Sequence, residues 1–251
     1  MATQVVGILG GMGPAAGADF VRLFVDACAR LLQARGDRVR DQAFPEHWLA
    51  QVPVPDRSGA LLSTEAGAHQ PLEPMLQALG RLAALGVQSV AMACNTAHAW
   101  HGRLQARFPQ IDLLHVADEV ARALRAEGVP QAILLATTGT YQTRLYDEAL
   151  ARVGMGLITP DAAGRERLMH GIYEGVKRGD LALAQRCFAE VAQDLLDRHG
   201  PQPLIMGCTE IPLALPGAPG LVGQRLLDPA QYLAQALALR AYGGRPAAQM
   251  S

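Results

Sequence analysis

Val5-Val-Gly-Ile-Leu9, followed by Gly10-Gly-Met-Gly-Pro14, decides the fold of this 251-residue chain. The first five residues form a short apolar run of strand length. The glycines then allow a tight turn, and proline suits the first turn of a helix. Beyond it, Phe20, Phe24, Ala27 and Leu31 recur at helical spacing through Ala15–Ala34. The opening therefore reads strand, glycine loop, helix. Such a loop aims backbone N–H groups and a helix N-terminus at the mouth of a sheet, where they bind an anion.

The same alternation runs down the chain. An irregular strand is expected in Ala43–Val54, ending at Val52-Pro-Val-Pro-Asp-Arg-Ser58, whose two prolines predict a rigid exposed loop. Helices are expected at Leu72–Leu85, Ala97–Phe108, Ala117–Glu127, Arg144–Val153, Arg165–Val176, Leu181–Arg198 and Pro229–Ala241. Strands are expected at Val87–Ala93, Ile111–Val116, Ala132–Ala136, Gly156–Thr159, Leu204–Met206 and, weakly, Leu221-Val-Gly. Gly243–Ser251 reads as a loose tail. The strands are continuous apolar runs, the mark of a parallel sheet covered on both faces. Strand with small-residue loop, then strand with a cysteine turn, occurs once in each half. We expect an α/β protein of two similar lobes, residues 1–113 plus 222–251 and residues 114–221. Loops at the carboxyl ends of their strands would form a site in the cleft between them.

Composition narrows the function classes. Half the residues are hydrophobic, 18% are charged and the formal net charge is -1, so the chain lacks the basic footprint of a nucleic-acid binder. No apolar run reaches bilayer-spanning length. The first ten residues lack the basic flank and cleavage site of a signal peptide, which makes the cytoplasm the default location. Four cysteines (Cys28, Cys94, Cys187, Cys208) are far apart with no zinc-type spacing, so they are expected as reduced thiols.

Cys28 and Cys187 fall within amphipathic helices, where packing accounts for them. Cys94 and Cys208 each end an apolar strand and precede small polar residues, Asn95-Thr96 and Thr209-Glu210. A lone cysteine in that setting is usually a buried small hydrophobe. Two in matching contexts favour chemistry, because a helix N-terminus lowers a thiol pKa and makes the thiolate accessible. A thiolate and a thiol can remove a proton from one face of a carbon and return one to the other, exchanging roles with each turnover. The carbanion-like intermediate then needs fixed donors around its carboxylate.

Five ordered motifs carry a resemblance: Gly7-Ile-Leu-Gly-Gly-Met-Gly-Pro14, Ala93-Cys-Asn-Thr-Ala-His98, Leu134-Leu-Ala-Thr-Thr-Gly-Thr140, Gly171-Ile-Tyr-Glu-Gly-Val-Lys177 and Gly207-Cys-Thr-Glu210. Together, from about Val5 to Asp228, they resemble the aspartate/glutamate racemase family, and most of all its cofactor-independent aspartate racemases. The resemblance implies two flavodoxin-like lobes, a homodimer, no pyridoxal phosphate, and Cys94 and Cys208 as the catalytic thiols. It also implies Arg57 as the grip on a substrate carboxylate, for which a guanidinium is well shaped, and Lys177 as a second cationic contact. Met12, Gly13, Asn95 and Thr96 match substrate-lining positions; Thr137, Thr140 and Thr209 are further candidates. For the glycines the competing account is turn geometry, and for the loop threonines capping.

His98 and Glu210 lie close to the two cysteines and are candidates for tuning their protonation. His98 and His101 have a metal-compatible spacing, but no further ligand accompanies them, and a metal site is set aside. Among rivals, Gly11-x-Gly13-x-x-Ala16 has the context of a dinucleotide fingerprint. No acidic residue ends a second strand at the required distance, and the fingerprint leaves both cysteines unexplained. Maleate cis–trans isomerases and hydantoin racemases also use paired cysteines, whereas arylmalonate decarboxylases keep one. The sequence thus favours racemisation of a small dicarboxylic amino acid, aspartate before glutamate.

Overall fold

A computed structural model of the chain describes residues 3–63 and 65–244. The tail expected at Gly243–Ser251 lies, from residue 245 onward, outside the described residues. Contacts divide the chain into two compact units, Met1–Glu119 with Ala230–Ser251, and Val120–Pro229.

The first unit is built from β1 (Val6–Gly10), α1 (Pro14–Ala34), β2 (His47–Gln51), α2 (Arg57–Leu62), α3 (Glu65–Ala68), α4 (Leu72–Ala84), β3 (Ser89–Met92), α5 (His101–Arg107), β4 (Asp112–Leu113) and the start of α6 (Val116–Ala126). Its sheet has the order β2-β1-β3-β4, with every pair parallel. The central strands β1 and β3 are buried along their whole length, as their unbroken apolar runs require. Phe20, Leu23, Phe24 and Ala27 form the buried face of α1, and Met75, Ala78, Leu79 and Leu82 that of α4. Each large apolar side chain among them contributes about 1.5–3 kcal/mol by leaving water.

The second unit continues with β5 (Gln131–Ala136), α7 (Thr138–Gln142), α8 (Leu145–Ala151), β6 (Gly156–Ile158), α9 (Ala162–His170), α10 (Leu181–His199), β7 (Leu204–Gly207) and β8 (Leu226–Leu227). Its sheet order is β6-β5-β7-β8, again all parallel. The two sheets therefore share one topology. In each, the chain leaves the first-formed strand toward one edge and the third-formed strand toward the other. That reversal is a topological switch point, which opens a crevice at the carboxyl ends of the two central strands. Finally α11 (Pro229–Ala241) returns to the first unit, where Gln4 N–H donates to Ala241 O at 2.8 Å.

Several elements differ from the sequence expectation for identifiable reasons. The irregular strand of Ala43–Val54 shrinks to β2, an edge strand that ends before Pro53. The loop after it is not simply exposed: Val54 is buried, and Asp56 caps α2 by accepting the Gly59 N–H. Leu221-Val-Gly is a turn with Val222 87% exposed, and the strand lies instead at Leu226–Leu227, where it pairs with β7. This pairing carries residues 222–229 with the second unit. His115 packs on the rings of His98 and His101, which keeps the start of α6 with the first. The contact boundaries thus fall after residues 119 and 229 rather than after 113 and 221.

The motif Gly171–Lys177 has a packing explanation. After α9 the chain widens into a π-turn at Gly171–Gly175 and tightens into a 3-10 turn at Val176–Arg178. A Cβ on Gly171 would lie 2.6 Å from Phe188, and one on Gly175 would lie 2.7–2.9 Å from Ala184. Both glycines let the turn press directly on α10. Gly175→Ala is expected to lower unfolding free energy by about 1–3 kcal/mol through overpacking, measured by denaturant titration. Among the described residues no helix is long and apolar enough to cross a membrane.

Candidate active site

In the first unit the glycine loop and the Cys94 turn lie on neighbouring strands, since Leu9 pairs with Met92. Gly11 has φ +91°, and a Cβ there would sit 2.1 Å from Val52 O, so only glycine lets this loop rest on the chain after β2. Gly10 and Gly17 leave room for the Gln51 amide, which donates to Pro14 O at 2.8 Å. Gly13 precedes α1 in extended conformation with Pro14 at the first helical position.

Arg57 reaches this loop. Its Nη2 donates to Met12 O at 2.6 Å, and its Nη1 donates to Val54 O and Pro55 O at 3.2 Å. The guanidinium thus fastens residues 54–55 to the glycine loop and brings Arg57, Met12 and Gly13 together. It is a half-buried tie between two loops rather than a side chain extended into water.

Cys94 is buried, as are Asn95, Thr96 and His98. Its N–H donates to Met92 O at 2.8 Å. Its carbonyl accepts from His98 Nδ1 at 2.9 Å, and Asn95 O lies 3.2 Å from the same nitrogen. The chain continues from Asn95 into a 3-10 turn, Thr96–Trp100, and α5 begins only at His101. Cys208 likewise leads into a 3-10 turn, Ile211–Leu213. Neither cysteine heads an α-helix, so the helix-terminus argument drawn from the sequence is corrected. Small polar residues after an apolar strand fit either kind of turn, which is why the sequence pattern did not separate them.

His98 joins His101 and His115, with ring centroids 4.9–6.2 Å apart. His115, distant in sequence, is the member that sequence reasoning missed. His101 Nε2 donates to Leu113 O at 2.7 Å. No group of three or more metal-ligating side chains among the described residues has metal-holding geometry. Burial, then the neighbouring His115 and His101, push the His98 pKa down to about 3, against the opposing pull of the two carbonyls.

In the second unit Ala136 pairs with Gly207, which sets Thr137 beside Cys208 at the strand ends. Thr137 caps α7: its Oγ1 accepts the Thr140 N–H and lies 3.0 Å from Thr140 Oγ1. The loop expected at Thr137–Thr140 is thus the first turn of a short helix. Tyr141 OH donates to Leu134 O and accepts from Ala136 N–H, both at 2.9 Å, which pins the end of β5.

Cys208 is buried, and its Sγ–H donates to Glu210 Oε2 at 2.9 Å. Thr209 Oγ1 donates to the same oxygen at 3.0 Å. Burial, chiefly, raises the pKa values of Tyr141 and Tyr146, and the Cys208 sulfur adds to both shifts. Arg165, passed over in the sequence, stacks its guanidinium 4.4 Å from the centroid of the Tyr141 ring. Its sign was legible only in charge, since nothing in its sequence neighbourhood points to Tyr141. Lys177 is exposed on the 3-10 turn with its Nζ 3.9 Å from the Tyr173 ring centroid.

The remaining cysteines differ from this pair. Cys28 and Cys187 are fully buried within α1 and α10. Burial pushes the Cys28 thiol up to about 12, and it raises Cys187 as well. These are packing groups.

The Asp/Glu/Hydantoin racemase family profile matches residues 9–237. The aspartate racemase of Picrophilus torridus superimposes with a TM-score of 0.73 and 26% identity, covering 96% of this chain and 95% of that one. Broad specificity amino-acid racemase RacX of Bacillus subtilis (strain 168) is 25% identical over 157 residues, 62% of this chain and 65% of RacX. Glutamate racemase of Pseudomonas aeruginosa (strain UCBPP-PA14) is 30% identical over 138 residues, 52% of this chain and 48% of that enzyme. The match thus spans about half to two thirds of these two relatives' length.

Proposed function

Because the chain belongs to the Asp/Glu/Hydantoin racemase family, we propose that it racemises an acidic amino acid by two-base proton transfer at the α-carbon, with Cys94 and Cys208 as the bases. The observation that carries this reading is the Cys208–Glu210 contact. A buried thiol donating to a buried carboxylate keeps a proton at the end of β7, beside a sulfur that packing alone would leave inert.

In one direction the Cys94 thiolate takes the α-proton and becomes a thiol. The electron pair left on carbon delocalises into the α-carboxylate. The Cys208 thiol then delivers its proton to the opposite face and becomes a thiolate. The other enantiomer runs the same steps in reverse, and no external redox partner or cofactor is consumed. Donors fixed before reaction stabilise the developing charge best. The glycine loop at Met12–Gly13, held by Arg57, and the polar turn at Asn95-Thr96 supply them in the first unit; Thr137, Thr140 and Thr209 lie at the corresponding strand ends in the second. Lys177 is the second cation for a dicarboxylate.

Aspartate is the first-choice substrate and glutamate the second. Similarity to a broad specificity racemase calls for a wider panel. The test is incorporation of solvent deuterium at the α-position of L- and D-aspartate, L- and D-glutamate, several neutral amino acids and a 5-substituted hydantoin. Exchange with loss of optical rotation is expected for an acidic amino acid. Exchange confined to the hydantoin would replace the substrate assignment, and none with any compound would sink the reading. A thermal shift with NAD(P) would instead revive the dinucleotide alternative.

A further inference from the structure

We propose that His98 is a positioning residue for Cys94, a neutral imidazole whose Nδ1–H holds the Cys94 and Asn95 carbonyls and thereby aims the thiol. Three observations lead there. His98 is 3% exposed, so its polar atoms have to be satisfied within the protein. Its Nδ1 lies 2.9 Å from Cys94 O and 3.2 Å from Asn95 O. Both partners are carbonyls and only accept, so this nitrogen carries the hydrogen. Nε2 is then the unprotonated nitrogen, and it is buried without a hydrogen-bond partner among the described residues.

The arrangement holds Cys94 from both sides. Its N–H is taken by Met92 O and its C=O by the imidazole, while the His98 N–H closes on Asn95 O at 3.0 Å. With both peptide planes of the residue tied, the Cα–Cβ direction is set. Cys208 is held differently: its sulfur is bonded directly by Glu210, and its carbonyl accepts the Ile211 N–H of the turn. Glu210 thus acts on Cys208 at its sulfur, whereas His98 acts on Cys94 through the backbone.

A second proton on His98 is opposed by its burial and by the rings that face it. His101 stacks at 6.2 Å, and His115 meets it edge-on at 5.2 Å. Asp118, the carboxylate beside this cluster, lies 3.6 Å from His115 Nδ1 and is 43% exposed. His98 therefore stays neutral through the pH range in which amino acids are racemised.

This inference rests on the reading of Cys94 as a proton-transfer group, and the experiment separates the two. His98→Asn places an amide N–H near the position of Nδ1, His98→Gln places one near Nε2, and His98→Leu supplies neither. Two readouts are taken: kcat, KM and their pH profile for the racemised amino acid, and the site-resolved rate of Cys94 alkylation by iodoacetamide relative to Cys208. We expect His98→Asn to keep kcat within about threefold, and His98→Gln and His98→Leu to lower it by about tenfold to a hundredfold with KM little changed. Alkylation of Cys94 speeds up about fivefold in the latter two, as the turn opens more easily. The pH profile of His98→Asn keeps the wild-type midpoints.

Activity retained by His98→Gln but lost by His98→Asn would assign the work to Nε2 and overturn the proposal. So would a shifted acid limb in His98→Asn, or unchanged kcat and Cys94 alkylation in both His98→Gln and His98→Leu. If the wild-type protein racemises nothing while His98→Gln still frees Cys94 selectively, the racemase reading fails and the positioning role stands. Should His98→Leu not fold, the comparison of His98→Asn with His98→Gln decides alone.

Discussion

Cys94→Ala and Cys208→Ala are each expected to lower racemisation by about three orders of magnitude, because in the proposed mechanism each removes one of two positioned proton-transfer groups worth about 10²–10⁴ apiece. A one-base mechanism predicts that one variant keeps near-normal turnover, so chiral chromatography of the two variants distinguishes the schemes. The residual chemistry is informative as well. In the two-base scheme, with Cys208 removed, Cys94 should still abstract the proton of the enantiomer it serves and return solvent deuterium to the same face. Cys208→Ala is therefore expected to exchange one enantiomer without inverting it, and Cys94→Ala the other. Loss of exchange from both enantiomers in both variants would reject two independent bases. Cys28→Ala is the control, since that thiol is buried within α1 and enters no proposed step.

The largest stability effect is expected from His98 and pH. Its pKa is about 3 in the fold against 6.5 for a free imidazole. Below pH 6.5 the unfolded chain takes up a proton that the folded chain refuses, so stability falls as pH falls, until both forms are protonated below about 3. Above pH 6.5 neither form is charged and the contribution vanishes. The loss amounts to about 2 kcal/mol between pH 7.5 and pH 5, and about 4 kcal/mol at pH 3. His98→Asn keeps the Nδ1-like donor but cannot titrate. Urea titrations of both proteins at pH 7.5, 6 and 5 should therefore show wild type losing about 2 kcal/mol more than the variant. His101, His115 and Asp118 are present in both proteins, so the comparison isolates His98. Equal pH slopes would mean that His98 is charged in the folded state after all.

Much of the fold was legible because period and punctuation agree in the long elements. The helix α4 was readable from its apolar stripe and the glycine that follows, and Pro229–Ala241 from its opening proline. Both sheets followed from apolar runs alternating with such helices. The failures are short elements whose existence depends on tertiary partners. Two-residue β8 is a strand only because β7 pairs with it, and no periodicity can mark a pair of leucines. The short helix at Arg57 was hidden by the prolines before it, although Asp56 carried a capping signal.

The site divides along the same line. Cys94 and Cys208 stood out because each ends an apolar run, a local property. Their supporting contacts were partly local and partly not. Glu210 is two residues from Cys208, so its reach to the sulfur was foreseeable. His115 meets His98 only because β4 runs beside β3, and the Arg57–Met12 contact spans 45 residues of sequence. Only the family resemblance implied Arg57 as a grip on a substrate carboxylate; the folded chain shows its guanidinium donating to Met12 O, Val54 O and Pro55 O.

The different roles of Glu210 at Cys208 and His98 at Cys94 meet a thermodynamic restriction on the proposed reaction. Mirror-image amino acids have equal free energies in water, so the equilibrium between them is unity whatever the enzyme looks like. For the proposed racemisation the quotient kcat/KM must then be the same in both directions, even though Glu210 bonds the sulfur of one cysteine and His98 the carbonyl of the other. Any handedness this asymmetry imposes can appear only as kcat and KM rising or falling together, so that one enantiomer is held more tightly and turned over more slowly than its reflection.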